Sequence, residues 1–340
     1  MANIELPRKI LVSRKALDET VNFCKELHLK GSCLVITGEH TKEVAGKRVF
    51  SDFQNNGFLS NIQIIKDESD IPELLEKINA FDFLIGVGGG KIIDITKYIS
   101  NKANMPFISI PTSPSHDGFA SPRASLNLNG FKSSFEAKPP LMIIADLDII
   151  SQAPARLIAS GYGDVIAKLT SVADWKLSNI KTGEPYLSYA ADLGLSAAQK
   201  ILDDPEHIKS DIKFLVDSLI NCGISMCFTK SSRPASGSEH MFSHALDMLY
   251  PEKKSLHGEQ CGIGTIIMSY LHGQDYKKIR KCLEIIGCPT NAKQLEIPEE
   301  IMIKALVKAK EINPSRYTIL NQIEINESKA KNILKTVKVI

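Results

Sequence analysis

The N-terminal part of the chain alternates between two kinds of segment, and this alternation limits the fold more than any other feature of the sequence. Short apolar runs, rich in Ile and Val and bounded by Gly, Asp or Pro, lie at residues 33–36, 62–65, 83–87, 107–110 and 142–145. Segments of helical length and mixed polarity separate them, at residues 17–27, 42–53, 71–79 and 91–100. Continuous apolar runs are typical of parallel strands that are buried on both faces. The pattern therefore predicts an α/β domain with a Rossmann-like parallel sheet.

The second half of the chain has a different pattern. After Leu147, helix-like periodicity recurs without a convincing strand run, at residues 164–175, 187–202, 208–228, 239–249, 262–271, 276–286, 299–310 and 327–337. A chain of 340 residues is longer than one hydrophobic core usually grows. We therefore predict two domains, an α/β domain at residues 1–154 and an all-α domain at residues 155–340.

One segment of the α/β part departs from the alternation. Residues 121–135 contain Leu126 and Leu128, followed by the dipeptide Asn129-Gly130. Asn-Gly beside alternating apolar residues is a strong signal for a two-residue hairpin turn. We expect a β-hairpin here that reaches out over the crevice at the sheet edge and does not extend the sheet.

Charge and cysteine content exclude several classes of protein. The chain carries 41 basic and 39 acidic residues, a formal net charge of +2, without a block of like charge. We therefore expect a small-molecule partner, no nucleic acid and no membrane insertion. The seven cysteines are odd in number and none forms Cys-x-x-Cys, which argues against a disulfide framework or a zinc ribbon. With no signal-like N-terminus and no apolar run near ~20 residues, we expect a cytoplasmic location.

A glycine-rich turn follows the predicted strand at residues 83–87. Gly88, Gly89 and Gly90 leave the backbone uncovered at a helix N-terminus, where N–H groups and the helix dipole favour a pyrophosphate. The motif departs from G-x-G-x-x-G because Lys91 takes the place of the last glycine, and from Walker A because Ile92 follows that lysine. A dinucleotide-binding turn and a plain tight turn both remain open on this evidence.

The next predicted strand ends in a loop that is rich in hydroxyl groups. Its candidate ligand-facing residues are Thr112, Ser113, Ser115, Ser121 and Ser125. Loops at the carboxyl edge of an open α/β sheet are where such sheets bind ligands. Asp117, in the same loop, is a candidate acceptor for a substrate hydroxyl. A Ser/Pro-rich surface loop is the alternative.

Three of the eight histidines lie close together in the sequence. If residues 239–249 are helical, His240 and His244 are at positions i and i+4 and project from one face, and His257 follows shortly after. Imidazoles in this arrangement bind a divalent metal, and a carboxylate from elsewhere completes an open catalytic site. The metalloprotease pattern is absent, because Met241 follows His240. A histidine pair satisfied within a half-buried helix is the alternative.

Asp164 is the candidate carboxylate. It follows Gly161 and Gly163 and is predicted to open a helix, with Lys168 one turn on and facing the same way. An aspartate at a helix start is most often an N-cap, and a lysine one turn later is often part of a solvated helix face. The two side chains become candidates for a functional site only because the other motifs occur in the same chain.

Five motifs in order carry a family resemblance: GVGGGKIID, PTSPSHDG, GYGDVIAK, SGSEHMFSHALD and LHGEQCGIG. Together they resemble the superfamily of metal-dependent polyol dehydrogenases, which includes glycerol dehydrogenase, iron-type alcohol dehydrogenase and dehydroquinate synthase. The segments SSRPASGSEHMFSHALD and SLHGEQCGIGTI most resemble those of the sn-glycerol-1-phosphate dehydrogenases. The resemblance spans roughly residues 34–320.

The resemblance implies a different role for each of the two domains. It implies a nucleotide-binding domain at residues 1–154, a helical metal- and substrate-binding domain at residues 155–340, an active site in the cleft between them, and a homo-oligomer. One zinc ion per subunit is expected on Asp164, His240 and His257. NAD(H) or NADP(H) is expected on Gly88, Gly89, Gly90, Lys91, Asp94, Thr112, Ser113, Ser115 and Ser121. The residues expected to face the substrate or act in catalysis are Asp117, Asp164, His244 and Lys168.

The implied reaction is the reversible reduction of dihydroxyacetone phosphate to sn-glycerol 1-phosphate, the backbone of archaeal-type ether phospholipids. Zinc is expected to act as a Lewis acid on the carbonyl, and His244, or a water that it holds, as the proton donor. Lys168 stands where alcohol-oxidising relatives carry a further histidine ligand. Lys168 and Arg233 are the candidates for the substrate phosphate.

Three alternatives remain open at this point. The first is oxidation of unphosphorylated glycerol or a related polyol. The second is a dehydroquinate synthase-like lyase, which would place Glu at the position of Asp164. The third is a binding protein with structural zinc; this needs a fourth ligand, for which the motifs give no candidate.

Overall fold

The computed structural model describes residues 4–128, 131–252 and 255–340. Within these ranges the chain forms eight strands: β1 Lys9–Ser13, β2 Ser32–Thr37, β3 Leu59–Ile64, β4 Phe83–Gly88, β5 Phe107–Pro111, β6 Arg123–Leu128, β7 Phe131–Glu136 and β8 Met142–Asp146. Six of them form one parallel sheet in the order β1-β8-β5-β4-β2-β3. The predicted α/β domain with a Rossmann-like parallel sheet is therefore confirmed.

The five apolar runs of the sequence coincide with β2, β3, β4, β5 and β8, whereas β1 had no clear signal. β1 is short and lies at the sheet edge beside β8, where its residue Ile10 is 41% exposed. β6 and β7 pair antiparallel outside the main sheet, as expected for a hairpin. The predicted Asn129-Gly130 turn lies outside the described residues.

Helices follow the strands in the first part of the chain: α1 Thr20–Glu26, α2 Glu39–Thr41, α3 Lys47–Asn55, α4 Ile71–Lys77, α5 Gly90–Ala103 and α6 Leu147–Ile150. The remainder of the described chain is helical, with α7 Ala155–Ile166, α8 Lys168–Thr182, α9 Ser188–Asp203, α10 Pro205–Ile208, α11 Ile212–Thr229, α12 Ser238–Leu249, α13 His257–Leu271, α14 Tyr276–Ile286, α15 Ala292–Leu295, α16 Glu299–Ile312 and α17 Glu327–Thr336.

The chain divides into two compact units. The first contains Met1–Pro154 together with Ile212–Phe228, and the second contains Ala155–Asp211 and Thr229–Ile340. The helix α11 thus belongs to the first unit, although the division predicted from the sequence placed it in the second. Close packing is the physical reason, because a Cβ atom on Gly223 of α11 would lie 2.7 Å from the Cβ of Ala120 in the loop after β5.

Among the described residues, α11 is also the one helix with the length and mean hydropathy that a membrane span needs. Within the fold, 56% of it is buried. A core helix of this composition passes the same test, and the close approach at Gly223 favours that assignment.

Three phenylalanines anchor the core of the first unit. Phe53 of α3, Phe58 and Phe83 of β4 are buried, and their ring centroids lie 5.0 to 6.0 Å apart. Aromatic rings at these distances stabilise a core beyond the area that they bury. They fix α3 against β4, the strand that leads into the glycine turn.

Candidate active site

Asp164 lies inside a helix and not at its start. The helix α7 begins at Ala155 and continues through Gly161 and Gly163. The prediction that Asp164 opens a helix is therefore wrong, and the N-cap alternative is excluded with it. The Asp164 side chain is 1% exposed, so its carboxylate is held within the second unit.

The glycines of α7 permit a close contact with α13. A Cβ atom on Gly163 would lie 2.4 Å from the carbonyl oxygen of Gly258, and one on Gly258 would lie 1.8 Å from that of Ser160. Neither distance is possible for a real side chain. The two helices can therefore pack this closely only because both positions are glycine. The packing brings α7, which carries Asp164, close to the start of α13, where His257 lies.

A buried aspartate anchors the start of α12. The backbone N–H of Ser238 donates to Asp174 Oδ2 at 2.7 Å, and the N–H of Ile319 and Nε2 of His272 donate to Oδ1 at 2.7 and 2.9 Å. A carboxylate at a helix N-terminus stabilises the unpaired N–H groups there. The first turn of α12, which carries His240, is therefore held at a fixed point.

Glu239 sets the orientation of His240. Nδ1 of His240 lies 2.7 Å from Oε1 of Glu239, and Gly237 N and Thr170 Oγ1 donate to the same carboxylate at 2.7 and 2.8 Å. Burial raises the pKa of Glu239, but these hydrogen bonds outweigh it and hold the pKa below its ordinary value. Since a carboxylate only accepts, Nδ1 carries the proton. In the neutral ring Nε2 therefore has the lone pair, and it lies 3.8 Å from Asp164 Oδ1.

A second chain of hydrogen bonds sets the orientation of His257. Gln260 Nε2 donates to Asp247 Oδ1 at 2.9 Å, so the amide oxygen of Gln260 faces Ser243 and accepts its hydroxyl proton at 2.6 Å. With its proton so used, Ser243 Oγ accepts from His257 Nδ1 at 3.4 Å. Nε2 of His257 is therefore also the ring nitrogen that has the lone pair.

Lys168 is paired with the candidate carboxylate. Its Nζ lies 3.0 Å from Asp164 Oδ1 and donates to the carbonyl of Ala235 at 3.1 Å. The lysine side chain is 0% exposed, so the alternative of a solvated helix face is wrong. A buried charge needs a partner of opposite sign, and here each of the two residues supplies that partner for the other.

These residues form a donor set that fits a catalytic zinc site. The rings of His240 and His257 have centroids 4.9 Å apart, and in each neutral ring Nε2 is the nitrogen whose lone pair could bind a metal. Each Nδ1 is bound to an outer acceptor, which is the usual arrangement around histidine ligands. One carboxylate with two imidazoles is a common set for an open catalytic zinc. His244 stacks on His257 with centroids 6.1 Å apart, so the structure gathers the histidines as predicted.

Sequence reasoning missed several residues of this site. Glu239, Ser243 and Gln260 were not singled out, although Ser243 and Gln260 each follow a histidine by three positions on the same helix. Cys261 was missed as well. Its Sγ lies 3.6 Å from His257 Nε2, and burial raises the pKa of its thiol well above the ordinary value.

Arg233 does not have the role that the sequence suggested. Its guanidinium donates from Nε to Glu184 at 2.8 Å, from one terminal nitrogen to the carbonyl of Tyr317 at 2.9 Å, and from the other to Ser178 Oγ at 3.2 Å and to Glu184. The side chain is 5% exposed. These partners tie three segments of the second unit together, and they engage all three nitrogens of the Arg233 guanidinium within the protein.

The glycine turn of the first unit is built for close approach. The helix α5 begins at Gly90, and a Cβ atom there would lie 1.9 Å from His116 Nε2, while one on Gly88 would lie 2.7 Å from the Ile92 side chain. A Cβ on Gly89 would meet only Ser113 Oγ, at 3.4 Å. The turn is therefore sterically closed on two sides and open at Gly89, next to the N–H groups of a helix N-terminus.

Two of the residues predicted to bind the cofactor lie beside this turn. The backbone N–H of Thr112 donates to Gly88 O at 3.0 Å, and Ser113 is the side chain nearest to Gly89. The hydroxyl-bearing side chains of this loop are buried, at Thr112, Ser113, Ser115 and Ser121. Lys91 is exposed, and Asp117 is half-buried at the start of a short helical turn.

Asp94 is engaged within the protein. Its Oδ1 accepts from Lys97 Nζ at 2.9 Å and its Oδ2 from the backbone N–H of Ser125 at 3.2 Å. Lys97 is fully buried and also donates to the carbonyls of Gly118 and Arg123. Asp94 and Lys97 therefore tie α5 to the segment that follows β5, and Lys97 is a further residue that sequence reasoning missed.

The chain is similar over nearly its full length to known enzymes. The chain is 44% identical over 345 residues to the glycerol-1-phosphate dehydrogenase (NAD(P)+) of Methanosarcina mazei, with 99% of this chain and 96% of the relative covered. It is 43% identical over 344 residues to the enzyme of the same name from Pyrococcus furiosus, with 99% of both chains covered. The chain belongs to the glycerol-1-phosphate dehydrogenase family.

The family resemblance stated from the motifs is thereby confirmed. The sequence model of the iron-containing alcohol dehydrogenases also matches residues 11–154. Among solved structures, glycerol dehydrogenase from Schizosaccharomyces pombe has a TM-score of 0.81 at 19% identity, covering 99% of this chain and 90% of its own. Sulfoacetaldehyde reductase from Bifidobacterium kashiwanohense, solved in complex with NAD+, has a TM-score of 0.73 at 15% identity, covering 99% and 98%. At these identities the structures support the fold alone.

Proposed function

We propose that this chain catalyses the reversible, NAD(P)H-dependent reduction of dihydroxyacetone phosphate to sn-glycerol 1-phosphate. It is an NAD(P)-dependent oxidoreductase by its membership of the family, and its substrate is a small molecule. The observation that carries the proposal for the active site is the orientation of His240 and His257, whose Nε2 atoms have the lone pairs while each Nδ1 is fixed by an outer acceptor.

Asp164, His240 and His257 are the residues that we assign to zinc. The carboxylate and the two imidazoles match the donor set of an open catalytic site. Bound there, zinc supplies a Lewis acid that polarises the substrate carbonyl. The protein's own contribution is orientation, because Glu239 fixes one imidazole and Ser243 fixes the other.

His244 and Lys168 are the residues that we assign to proton transfer and charge balance. His244 lies one turn after His240 on α12 and stacks on His257, so its ring borders the metal-binding residues without being one of them. A neutral or protonated imidazole in this position can hold or deliver the proton that the product hydroxyl needs. Lys168 balances the charge of Asp164, and we propose that its ammonium group also favours an anionic substrate.

The cofactor is assigned to the first unit. We propose that the pyrophosphate binds at the start of α5, where Gly89 is open and where Ser113 lies beside it. Thr112, Ser115, Ser121 and the turn residues Gly88 and Gly90 would complete the pocket, with Lys91 exposed next to it. Asp94 would act by holding the loop, and Asp117 would bind a substrate hydroxyl.

We further propose a biological setting from the product and the thiols. The product, sn-glycerol 1-phosphate, would serve as the backbone of archaeal-type ether phospholipids. None of the seven cysteines forms a disulfide, which suits the reducing cytoplasm. A homo-oligomer stays a prediction, which sedimentation would test.

The test of the proposed function is an assay with each nicotinamide cofactor. Purified protein should oxidise NADH or NADPH in the presence of dihydroxyacetone phosphate, and chiral analysis of the product should give sn-glycerol 1-phosphate. A chelator should abolish turnover, and added zinc should restore it. Unphosphorylated dihydroxyacetone is the control. Faster turnover with this substrate would favour the alternative function of a polyol dehydrogenase. Full activity in a metal-free preparation would refute the assignment of zinc.

A further inference from the structure

We propose that Lys97, a buried lysine of α5, is a positioning residue for the nicotinamide half of the cofactor. The inference rests on the proposed function, which assigns the pyrophosphate to the start of α5 and Asp117 to a substrate hydroxyl. Those assignments place residues on α5 and on the segment 112–125 after β5. Lys97 is the residue that sets the position of this segment relative to the helix.

One face of α5 lies against the segment. Asp94 and Lys97 follow Gly90 by four and seven positions, so the three residues lie on one side of the helix. A Cβ atom on Gly90 would lie 1.9 Å from His116 Nε2, and one on Gly118 would lie 3.5 Å from Asp94 Oδ1. The contact therefore begins at the glycine turn and continues down the helix.

The ammonium group of Lys97 holds the segment through its backbone. Nζ donates to the carbonyls of Gly118 and Arg123 at 2.5 and 2.6 Å, and to Asp94 Oδ1 at 2.9 Å. An ammonium group has three N–H donors, so these three acceptors match its capacity. Asp94 adds a further point, because its Oδ2 accepts from the backbone N–H of Ser125 at 3.2 Å. The two charged side chains thus fix the segment at three places.

The fixed places enclose two residues of the proposed site. Asp117 directly precedes Gly118, and Ser121 Oγ donates at 3.2 Å to the carbonyl of Arg123, which Lys97 also binds. Because hydride passes directly between cofactor and substrate, a segment that binds the substrate through Asp117 also borders the nicotinamide. The pyrophosphate turn, in contrast, belongs to α5 itself. Lys97 therefore governs the nicotinamide half of the cofactor and not the adenosine diphosphate half.

The test variant removes both charges together. Removing one partner of a buried ion pair leaves an uncompensated charge, whereas replacing both by neutral side chains of similar size is often neutral for stability. The double variant Asp94→Asn, Lys97→Met meets this condition. Lys102→Met is the matched control, because Lys102 is an exposed lysine of the same helix, with Nζ 5.4 Å from the centroid of the Tyr98 ring.

The experiment compares two ligands by calorimetry on the full chain: the whole cofactor, NADH, and ADP, which lacks the nicotinamide half. The double variant should bind NADH about ten-fold more weakly, which is what the loss of one or two hydrogen bonds costs. Its affinity for ADP should equal that of the wild type. Lys102→Met should keep both affinities, and Gly89→Val, which fills the pyrophosphate turn, should lose both.

The outcomes separate this inference from the proposed function. Wild-type affinity for NADH in the folded double variant refutes the role of Lys97 and leaves the cofactor assignment standing. Equal losses for NADH and ADP refute it too, because the ion pair then supports the whole unit. If the wild type binds neither ligand, the cofactor assignment falls as well.

Asp94→Asn alone is the second variant, should the double variant not fold. Its amide oxygen cannot accept from both Lys97 and Ser125 while its NH₂ group faces one of them. A smaller loss of affinity is then expected for NADH and none for ADP. Unchanged affinity for NADH in this variant contradicts the inference.

Discussion

Replacing Glu239 with Gln tests whether a buried carboxylate, and not merely a hydrogen-bond acceptor, holds His240 for the metal. In the protein, Oε1 of Glu239 accepts from His240 Nδ1 and from Gly237 N, while Oε2 accepts from Thr170 Oγ1. A glutamine can keep Oε1 in the first two bonds and donate its NH₂ group to Thr170 Oγ1. The change therefore removes the charge and leaves the packing and the bond count nearly unchanged.

The expected loss is in metal affinity. Hydrogen bonds to charged groups contribute about 1.5 to 3 kcal/mol each, against about 1 kcal/mol for neutral ones, so making the bond to His240 neutral should cost roughly 0.5 to 2 kcal/mol. Loss of an outer partner of a metal-binding histidine typically lowers metal affinity ~10 to ~100-fold, and the lower end of that loss lies within the range because ~1.4 kcal/mol is a factor of ten. We expect zinc to bind Glu239→Gln about ten-fold more weakly.

The assay is competition for zinc against a chromophoric chelator, with thermal unfolding of the metal-free protein measured in parallel. Glu184→Gln is the matched control, because Glu184 is a carboxylate of the same unit that binds Arg233 and Ser178 and contacts none of the assigned ligands. Glu239→Gln should lose zinc affinity, and Glu184→Gln should not. Equal zinc affinity in a folded Glu239→Gln protein would refute the reasoning.

Three further predictions concern the ligands, the cofactor and the substrate. His257→Ala should lose the metal outright, whereas His244→Ala should keep it and lose rate; equal metal loss in both, by elemental analysis, would show that the pair is misassigned. Gly89→Val should fold, because a Cβ there meets only a hydroxyl oxygen at 3.4 Å, yet bind NADH or NADPH at least ten-fold more weakly by fluorescence titration; unchanged affinity would place the pyrophosphate elsewhere. Lys168→Met should lower kcat/KM for dihydroxyacetone phosphate by about one to two decades more than for dihydroxyacetone, since a charge-assisted bond contributes roughly 1.5 to 3 kcal/mol; equal losses would limit Lys168 to its pairing with Asp164.

Local periodicity was enough to predict much of this protein. The apolar runs of β2, β4, β5 and β8 are buried on both faces, and with the run of the edge strand β3 their composition identified a parallel sheet. The same holds for the i, i+4 spacing of His240 and His244, which depends only on the helix α12 that carries them. The order of the motifs was enough for the family.

Other features depended on partners that are distant in sequence. β1 is short and partly exposed, and it becomes a strand only because β8, more than a hundred residues later, pairs with it. The glycines before Asp164 look like a helix boundary, yet α7 continues through them, and α13 packs against the bare backbone of Gly163. The apolar sequence pattern of α11 would suit the core of either unit. The close packing at Gly223 is what assigns this helix to the first unit.

The active-site residues divide in the same way. The residues assigned to the metal were visible in the sequence, because Asp164, His240 and His257 stand in recognisable motifs. Their orientation was not visible, since it comes from hydrogen bonds such as Ser243 to Gln260 across two helices. Arg233 likewise resembled a free cation until the fold gave its guanidinium a carboxylate and a carbonyl. Sequence determines which chemical groups are present and how they repeat along one element, whereas tertiary packing decides which of their atoms remain to bind a ligand.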